Sequence, residues 1–213
     1  MLRAPVLVFL ASTLSLLSSV DPAAAQVPWW APRYDEPLAA PSVAERARAA
    51  EELGRETRRG RTAVATERLV RALEEERHPT VRDAIVSALA RLGHADALDA
   101  LAQQLDVSRA RELQRVLLAI AAIAEGGSPR AASLLVEQLA VRGRAEFARE
   151  ALRRAGLVPL PALLRALRDS SAGRAEIARA LGDAGSHQAT PGLLQALAGD
   201  WEVSDGVALL EAL

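Results

Sequence analysis

The sequence contains no cysteine, no lysine and no asparagine, and aromatic residues make up only 3% of it. The lack of cysteine excludes disulfides, thiolate nucleophiles and cysteine metal ligands. The lack of lysine excludes Schiff-base chemistry on a lysine amine, and the lack of asparagine excludes an Asn-linked glycan. All 26 basic residues are arginine. A fold built from this chain must therefore be stabilised by packing rather than by covalent cross-links.

The first 25 residues have the features of an export signal. Arg3 provides a positive start, residues 6–20 form an apolar run, and Ala23-Ala24-Ala25 provides small residues before a cleavage point. The run is shorter than the roughly 20 residues of a membrane helix, which favours cleavage over the alternative of an uncleaved anchor. No cysteine follows it, so lipid attachment is excluded. We expect an exported bacterial protein, periplasmic or secreted, without membrane insertion after cleavage.

Residues 26–41 form a proline-rich and aromatic-rich arm with prolines at 28, 32, 37 and 41. The prolines predict a segment that is not helical. The arm nevertheless contains Trp29, Trp30 and Tyr34. These aromatics are candidates for docking on another protein, or for covering the apolar edge of the domain that follows.

Five similar blocks follow the arm, and each ends in a glycine. They are AAEELG (49–54), ALARLG (88–93), AIAEGG (122–127), ALRRAG (151–156) and ALGDAG (180–185), with glycine spacings of 39, 34, 29 and 29 residues. Glycine at the end of a helix predicts a left-handed residue there, since glycine lacks the Cβ that penalises that conformation. Such periods are typical of solenoids built from helical hairpins.

A second set of helices is aligned by paired leucines, one turn apart on the same face. The final leucines are Leu73, Leu105, Leu139, Leu167 and Leu197, and the earlier ones are Leu69, Leu101, Leu135, Leu163 and Leu193. Ser128-Pro129 and Thr190-Pro191 each predict a capping hydroxyl followed by proline at the first helical position. Pro41-Ser42 and His78-Pro79 are predicted to open first helices.

The repeat around residues 79–105 resembles the HEAT family, including the HEAT-like repeats of phycobilisome lyases. The resemblance rests on Pro79, Val81-Arg82, Ala84, Ala88-Leu89 and Leu92-Gly93, and it extends over residues 42–213. It implies a right-handed, all-α solenoid of about five antiparallel helix pairs plus an incomplete sixth. The expected repeats are 42–76, 79–106, 107–141, 143–169, 171–199 and a partial one at 201–213. The resemblance also implies an inner surface that binds macromolecules, and it does not imply an enzyme.

The partial sixth repeat has the sequence WEVSDGVALLEAL (201–213). The 29-residue period would place its glycine at position 214. This segment therefore reads as a first helix without its second helix. It indicates either a shortened product, the favoured reading, or a lone helix that closes the array.

Residues that carry chemistry are few and spread along the repeats. His94 and His187 fall in repeats two and five, so about three layers of helices, each about 10 Å thick, should separate them. His94 with Asp96 offers two metal ligands, whereas zinc sites need three or four. We predict no catalytic residues, no metal site and no cofactor. An enzyme resembling the bilin lyases, or a chaperone acting on a bound chromophore or protein, is the alternative. The absence of cysteine and the scarcity of aromatics argue against it.

Two arginine clusters raise nucleic acid as an alternative partner. They are RETRRGR (55–61) and the arginines at 142, 144, 149, 153 and 154. Interleaved glutamates dilute both clusters, aromatics for base stacking are nearly absent, and export would separate the protein from the genome. We therefore expect a partner that is another protein or an extended peptide.

The best candidate surface is a set of polar residues two positions before each final leucine. We name these five residues the polar ladder: Arg71, Gln103, Glu137, Arg165 and Gln195. They are out of phase with the leucines, so their side chains should point away from the core. If the second helices line the inner curve, as the resemblance implies, the polar ladder offers charges of alternating sign to a peptide.

Overall fold

The computed structural model describes residues 35–56, 61–107, 109–169, 173–199 and 203–213 of this chain, and within these ranges every regular element is helical. In chain order the helices are α1 (Asp35–Leu38), α2 (Val43–Leu53), α3 (Arg61–Glu75), α4 (Pro79–Leu92), α5 (Ala95–Val107), α6 (Ala110–Glu125), α7 (Pro129–Glu137), α8 (Ala145–Ala155), α9 (Leu160–Asp169), α10 (Arg174–Asp183), α11 (Thr190–Leu197) and α12 (Val203–Glu211). A 3₁₀ turn, Gln138–Ala140, continues α7.

The helices are arranged as an α-solenoid. The first helices of the repeats form one continuous row, in which α2, α4, α6, α8, α10 and α12 each contact the next. The second helices α3, α5, α7, α9 and α11 each contact the first helix that follows them. One repeat therefore completes its core only against the next, as expected for an array of hairpins that cannot each bury their own apolar face.

The predicted leucine pairs lie in the core. Leu69, Leu101, Leu135, Leu163 and Leu193 are at most 2% exposed. Four of the five final leucines are also buried, and Leu197 is half-buried. Helical periodicity alone identified this core, because each pair of leucines covers the same side of two successive turns.

A positive φ, which the predicted left-handed conformation requires, is found at four of the five block glycines. Gly93, Gly127, Gly156 and Gly185 have φ values of +61°, +94°, +68° and +59°. At Gly54 the prediction is wrong, because this residue has φ −66° and ψ −7°. Glycine is required there by close packing: a Cβ on Gly54 would lie 2.7 Å from both Cα and Cβ of Ala88.

Two local predictions about helix starts are also wrong. Thr190 is not a cap but the first residue of α11, because the preceding turn already runs helically through Ala189 (φ −77°, ψ −29°). The Thr190 N–H donates to the His187 carbonyl at 3.3 Å. The arm contains the short helix α1, in which Pro37 occupies the first turn, where its missing N–H costs nothing. Ser128 does cap α7, accepting a bond from the Ala131 N–H at 3.3 Å.

Arginines near the starts of first helices tie the ends of second helices together. Arg82 donates to the carbonyls of Leu73 and Glu76 at 2.9 and 3.0 Å, and to Oε1 of Gln104 at 2.7 Å. It therefore satisfies carbonyls at the C-terminal end of α3 while reaching α5. Arg144, the residue before α8, similarly bonds Oε1 of Gln138 at 2.8 Å and Oδ1 of Asp106 at 3.1 Å.

Candidate functional site

The five residues of the polar ladder lie one on each of the successive second helices. Arg71 lies on α3, Gln103 on α5, Glu137 on α7, Arg165 on α9 and Gln195 on α11, and all five side chains are exposed. Their orientation away from the core follows from their position, since each stands two residues before a leucine that packs inward. With a separation of about 10 Å between neighbouring helices, the polar ladder spans roughly 40 Å.

Four members of the polar ladder have no partner among the described residues. The side chains of Gln103, Glu137, Arg165 and Gln195 make no hydrogen bond or ion pair with any other described residue. Arg71 forms only an exposed ion pair, with 3.3 Å between its Nη2 and Oε1 of Glu67. Such exposed pairs contribute little to stability, so a binding partner can replace Glu67 as the partner of this guanidinium with little loss of free energy.

The first-helix surface differs, because its charges are paired across repeats. Arg149 on α8 is 2.9 Å from Oδ2 of Asp183 on α10. Arg115 on α6 pairs with Asp83 on α4. The second-helix surface also carries a link of this kind, between Arg130 on α7 and Asp99 on α5. These charges are partly neutralised within the chain. The polar ladder, in which four of five members have no partner among the described residues, is therefore the better candidate for contact with another molecule.

Arg71 also lines an open cleft of about 540 Å³ at the N-terminal end of the array. Apolar residues at its base include Leu38, Val81 and Ile85. Nothing in the leucine and glycine pattern pointed to this cleft, because it is formed jointly by the segment before α2, by α3 and by the start of α4. It extends the candidate surface beyond the helix face that sequence spacing identified.

The cleft wall is held by a nearly buried ion pair. Nε of Arg46 donates to Oε2 of Glu76 at 2.7 Å, and the two side chains are 18% and 12% exposed. Arg46 also donates to the Ala40 carbonyl at 2.8 Å. Oε1 of Glu76 accepts the N–H groups of Arg77 and His78 at 2.9 and 2.7 Å. The hydrogen bond from Arg46 lowers the pKa of Glu76, with the two backbone bonds adding to the effect and burial opposing it.

Replacing Glu76 by glutamine is therefore expected to destabilise the protein at neutral pH by about 1.5–3 kcal/mol, the range for a hydrogen bond to a charged group. Because the pKa of Glu76 in the folded state lies below the ordinary glutamate value of 4.5, the carboxylate's contribution to stability is fully present above pH 4.5. It is lost as pH falls through the folded-state pKa. Urea unfolding between pH 7 and pH 3 should show that the unfolding free energies of the original chain and of the Glu76→Gln variant become equal at the acidic end. Glu74→Gln, an exposed change two residues earlier in the last turn of α3, is the control and should change stability little at any of these pH values. A difference in unfolding free energy between the two proteins that stays the same from pH 7 to pH 3 would contradict this explanation.

The remaining predicted binding residues, Trp29, Trp30 and Tyr34, lie outside the described residues, and their role stays a prediction. Of the histidines, His78 and His187 are exposed, and Nδ1 of His94 lies 3.3 Å from Oδ2 of Asp96. Within the described part of the chain, no group of three or more His, Asp or Glu side chains is placed to hold a metal ion. No helix in that part is both long enough and apolar enough to cross a membrane.

The arginines considered for nucleic-acid binding are largely engaged by neighbouring carboxylates. Arg144 bonds Asp106, Arg149 bonds Asp183, and Arg153 makes a two-point contact with Glu150 at 2.6–3.0 Å. These contacts reduce the positive charge available to phosphates. Residues 57–60 of the other cluster lie outside the described residues.

Comparison with known proteins agrees with this architecture. Residues 36–121 match the family model described as HEAT repeats. Residues 36–121 carry HEAT repeats. The matched segment runs from α1 into α6 and includes the intact Val81-Arg82 pair of the second HEAT repeat. A solved structure of an engineered protein is similar at 18% identity and a TM-score of 0.43, over 84% of this chain and 93% of that one. No curated protein matches the chain.

Proposed function

We propose that this chain is an exported, non-catalytic scaffold that binds another protein along the polar ladder of its HEAT repeats. The observation that carries the proposal is the register of the polar ladder. Five exposed polar side chains recur at one position of successive second helices, and four of them make no bond within the described chain. HEAT repeats generally mediate protein interactions, which supports this use of the surface. Residues 1–25 support export.

An extended peptide is the partner that suits such a row of side chains. A span of roughly 40 Å corresponds to about 12 residues of extended chain. The sign of the polar ladder changes along its length, from Arg71 through Glu137 to Arg165, with a glutamine between and beyond. Glutamine amides can bond a peptide backbone, while the charged rungs select side chains of opposite sign. The proposal therefore assigns affinity for the peptide to the whole polar ladder and selectivity among peptides to its charged residues.

The test is partner capture by the full chain carrying Arg71→Ala with Arg165→Ala. We expect capture from the cell-envelope fraction, quantified by mass spectrometry, to fall about tenfold, equivalent to roughly 1.4 kcal/mol. The matched control is Arg48→Ala with Arg154→Ala, which removes the same charge from exposed positions on the first helices α2 and α8. The helical signal and melting temperature of both variants should stay close to those of the original chain. Equal capture by the two double variants would show that the polar ladder is not the binding surface.

A further inference from the structure

Helices α7, α9 and α11 are consecutive second helices that pack directly on one another. Helix α7 contacts α9, and α9 contacts α11. Their members of the polar ladder are Glu137, Arg165 and Gln195, all exposed. Because packed helices lie about 8–10 Å apart, roughly 9 Å should separate each of these positions from the next. This repeat distance limits the conformation of any chain that contacts all three residues.

The repeat distance of about 9 Å matches one turn of a polyproline II chain. That conformation has about three residues per turn and rises about 3.1 Å per residue, so residues i, i+3 and i+6 lie on one side, about 9.3 Å apart. A β-strand places residues of the same side about 6.6 Å apart, and its residue i+3 points to the opposite side. A strand that reached Glu137 and Gln195 would therefore direct its middle side chain away from Arg165.

An α-helix laid across the array would also match this distance, since its residues i and i+7 lie about 10.5 Å apart. The backbone groups of a helix are, however, hydrogen-bonded within the helix itself. Those of a polyproline II chain have no internal hydrogen bonds. The side-chain amide of Gln195 can donate and accept, and it can therefore bind such a backbone. A glutamine at this position favours a polyproline II chain over a helix.

The charges on the three helices select the side chains of the ligand. Helix α7 carries two charged residues, Arg130 and Glu137. Arg130 is engaged by Asp99, whereas Glu137 has no partner among the described residues. Helix α9 has two arginines and one aspartate, a net charge of +1, and α11 has no charged residue. The three helices therefore present a negative, a positive and a neutral position in that order.

The row of residues one turn before these positions is short and partly apolar. It consists of Ser133, Pro161 and Pro191, and both prolines are exposed. On the earlier second helices α3 and α5 the same row carries Glu67 and Asp99, which pair with arginines. A proline-rich chain lying along α7, α9 and α11 can therefore place its rings against Pro161 and Pro191 and remove apolar surface from water.

We propose that Glu137, Arg165 and Gln195 bind a polyproline II segment of a partner protein, in which a basic and an acidic residue stand three positions apart with prolines between them. The basic residue pairs with Glu137, the acidic residue pairs with Arg165, and Gln195 bonds the backbone of the next turn. This binding mode rests on the proposed function of the polar ladder, to which it adds the conformation and the charge spacing of the ligand.

The probes are labelled proline-rich peptides that contain one arginine and one glutamate placed two, three or four positions apart. Proline at the other positions keeps all of them in the polyproline II conformation. Two further peptides present the same charges in other conformations: an alanine-based helix with the charges seven positions apart, and a threonine-rich extended chain with the charges two positions apart. Fluorescence anisotropy with the full chain at low ionic strength should show that the three-position peptide binds about fivefold tighter than each of the others, since a misplaced charge loses about one exposed ion pair.

Single variants of the chain locate each contact. With Glu137→Gln, replacing the arginine of the three-position peptide by glutamine should no longer change the affinity, while replacing its glutamate still should. Arg165→Gln should show the reverse. The matched control is Glu125→Gln with Arg154→Gln, which removes opposite charges from exposed positions on the neighbouring first helices α6 and α8 and should leave the affinity unchanged. Melting curves establish that every variant is folded.

Three results would overturn this binding mode: equal affinity for the three charge spacings, binding of the helical or threonine-rich peptide that is at least as tight, or no measurable binding of the three-position peptide. The capture experiment with Arg71→Ala and Arg165→Ala separates this failure from failure of the proposed function. Loss of capture without any effect of charge spacing would mean that the polar ladder binds its partner in another conformation. Unchanged capture would mean that the proposed function itself is wrong.

Discussion

Truncating Leu101 to alanine is expected to lower the free energy of unfolding by about 2–5 kcal/mol, the range for a fully buried leucine in a close-packed core. Leu101 is 0% exposed and belongs to the leucine column that runs through all five second helices. The loss combines the transfer free energy of the removed methyl groups with a cavity that rigid neighbouring helices fill only in part. In a repeat array each layer is stabilised by its neighbours, so the defect weakens two interfaces of α5 together.

Urea unfolding followed by circular dichroism measures this effect. The matched control is Leu197→Ala, the same substitution in the last repeat, where the leucine is only half-buried. Folding removes less apolar area from water at Leu197 than at Leu101, so the control should lose about 1 kcal/mol or less of unfolding free energy. Similar losses for the two variants would contradict the assignment of Leu101 to the closed core.

Substituting Gly54 by alanine is the second large expected effect, with a loss of about 1–3 kcal/mol from overpacking. The backbone at Gly54 has φ −66°, which any residue adopts, so alanine carries no conformational penalty there. Its Cβ would, however, meet Cα and Cβ of Ala88 at 2.7 Å and Nη2 of Arg91 at 2.8 Å. The Ala88 Cα cannot rotate away, so α2 and α4 must separate slightly.

Gly93 is the control, because its backbone conformation favours glycine but the space around it is open, whereas Gly54 has an ordinary backbone conformation and close neighbours. It has φ +61° and open space around the missing Cβ, so Gly93→Ala costs only the left-handed strain of about 1–2 kcal/mol. Asparagine tolerates that conformation, so Gly93→Asn should be milder than Gly93→Ala, whereas Gly54→Asn should be worse than Gly54→Ala. The order of the four unfolding free energies tests both explanations. If Gly54→Ala leaves the unfolding free energy unchanged or raises it, α2 and α4 are not packed too closely for a Cβ at this position.

The exposure of the polar ladder could be predicted, but its lack of internal partners could not. Position relative to a packed leucine determines which way a helical side chain points, and this depends only on the turn itself. Whether a charge finds an internal partner depends on residues from other repeats. Arg149 meets Asp183, which lies 34 positions away in sequence. Glu137 and Arg165 have no partner among the described residues.

The sequence by itself determined the repeat register, the leucine core and the outward direction of the polar ladder, because each follows from the 3.6-residue periodicity of a single helix. Only the tertiary structure decided why Gly54 is glycine and how Arg46 and Glu76 hold the wall of the N-terminal cleft. These features arise where one layer meets the next. The distance and rotation between layers are set by all the side chains at that contact, and no single helix encodes them.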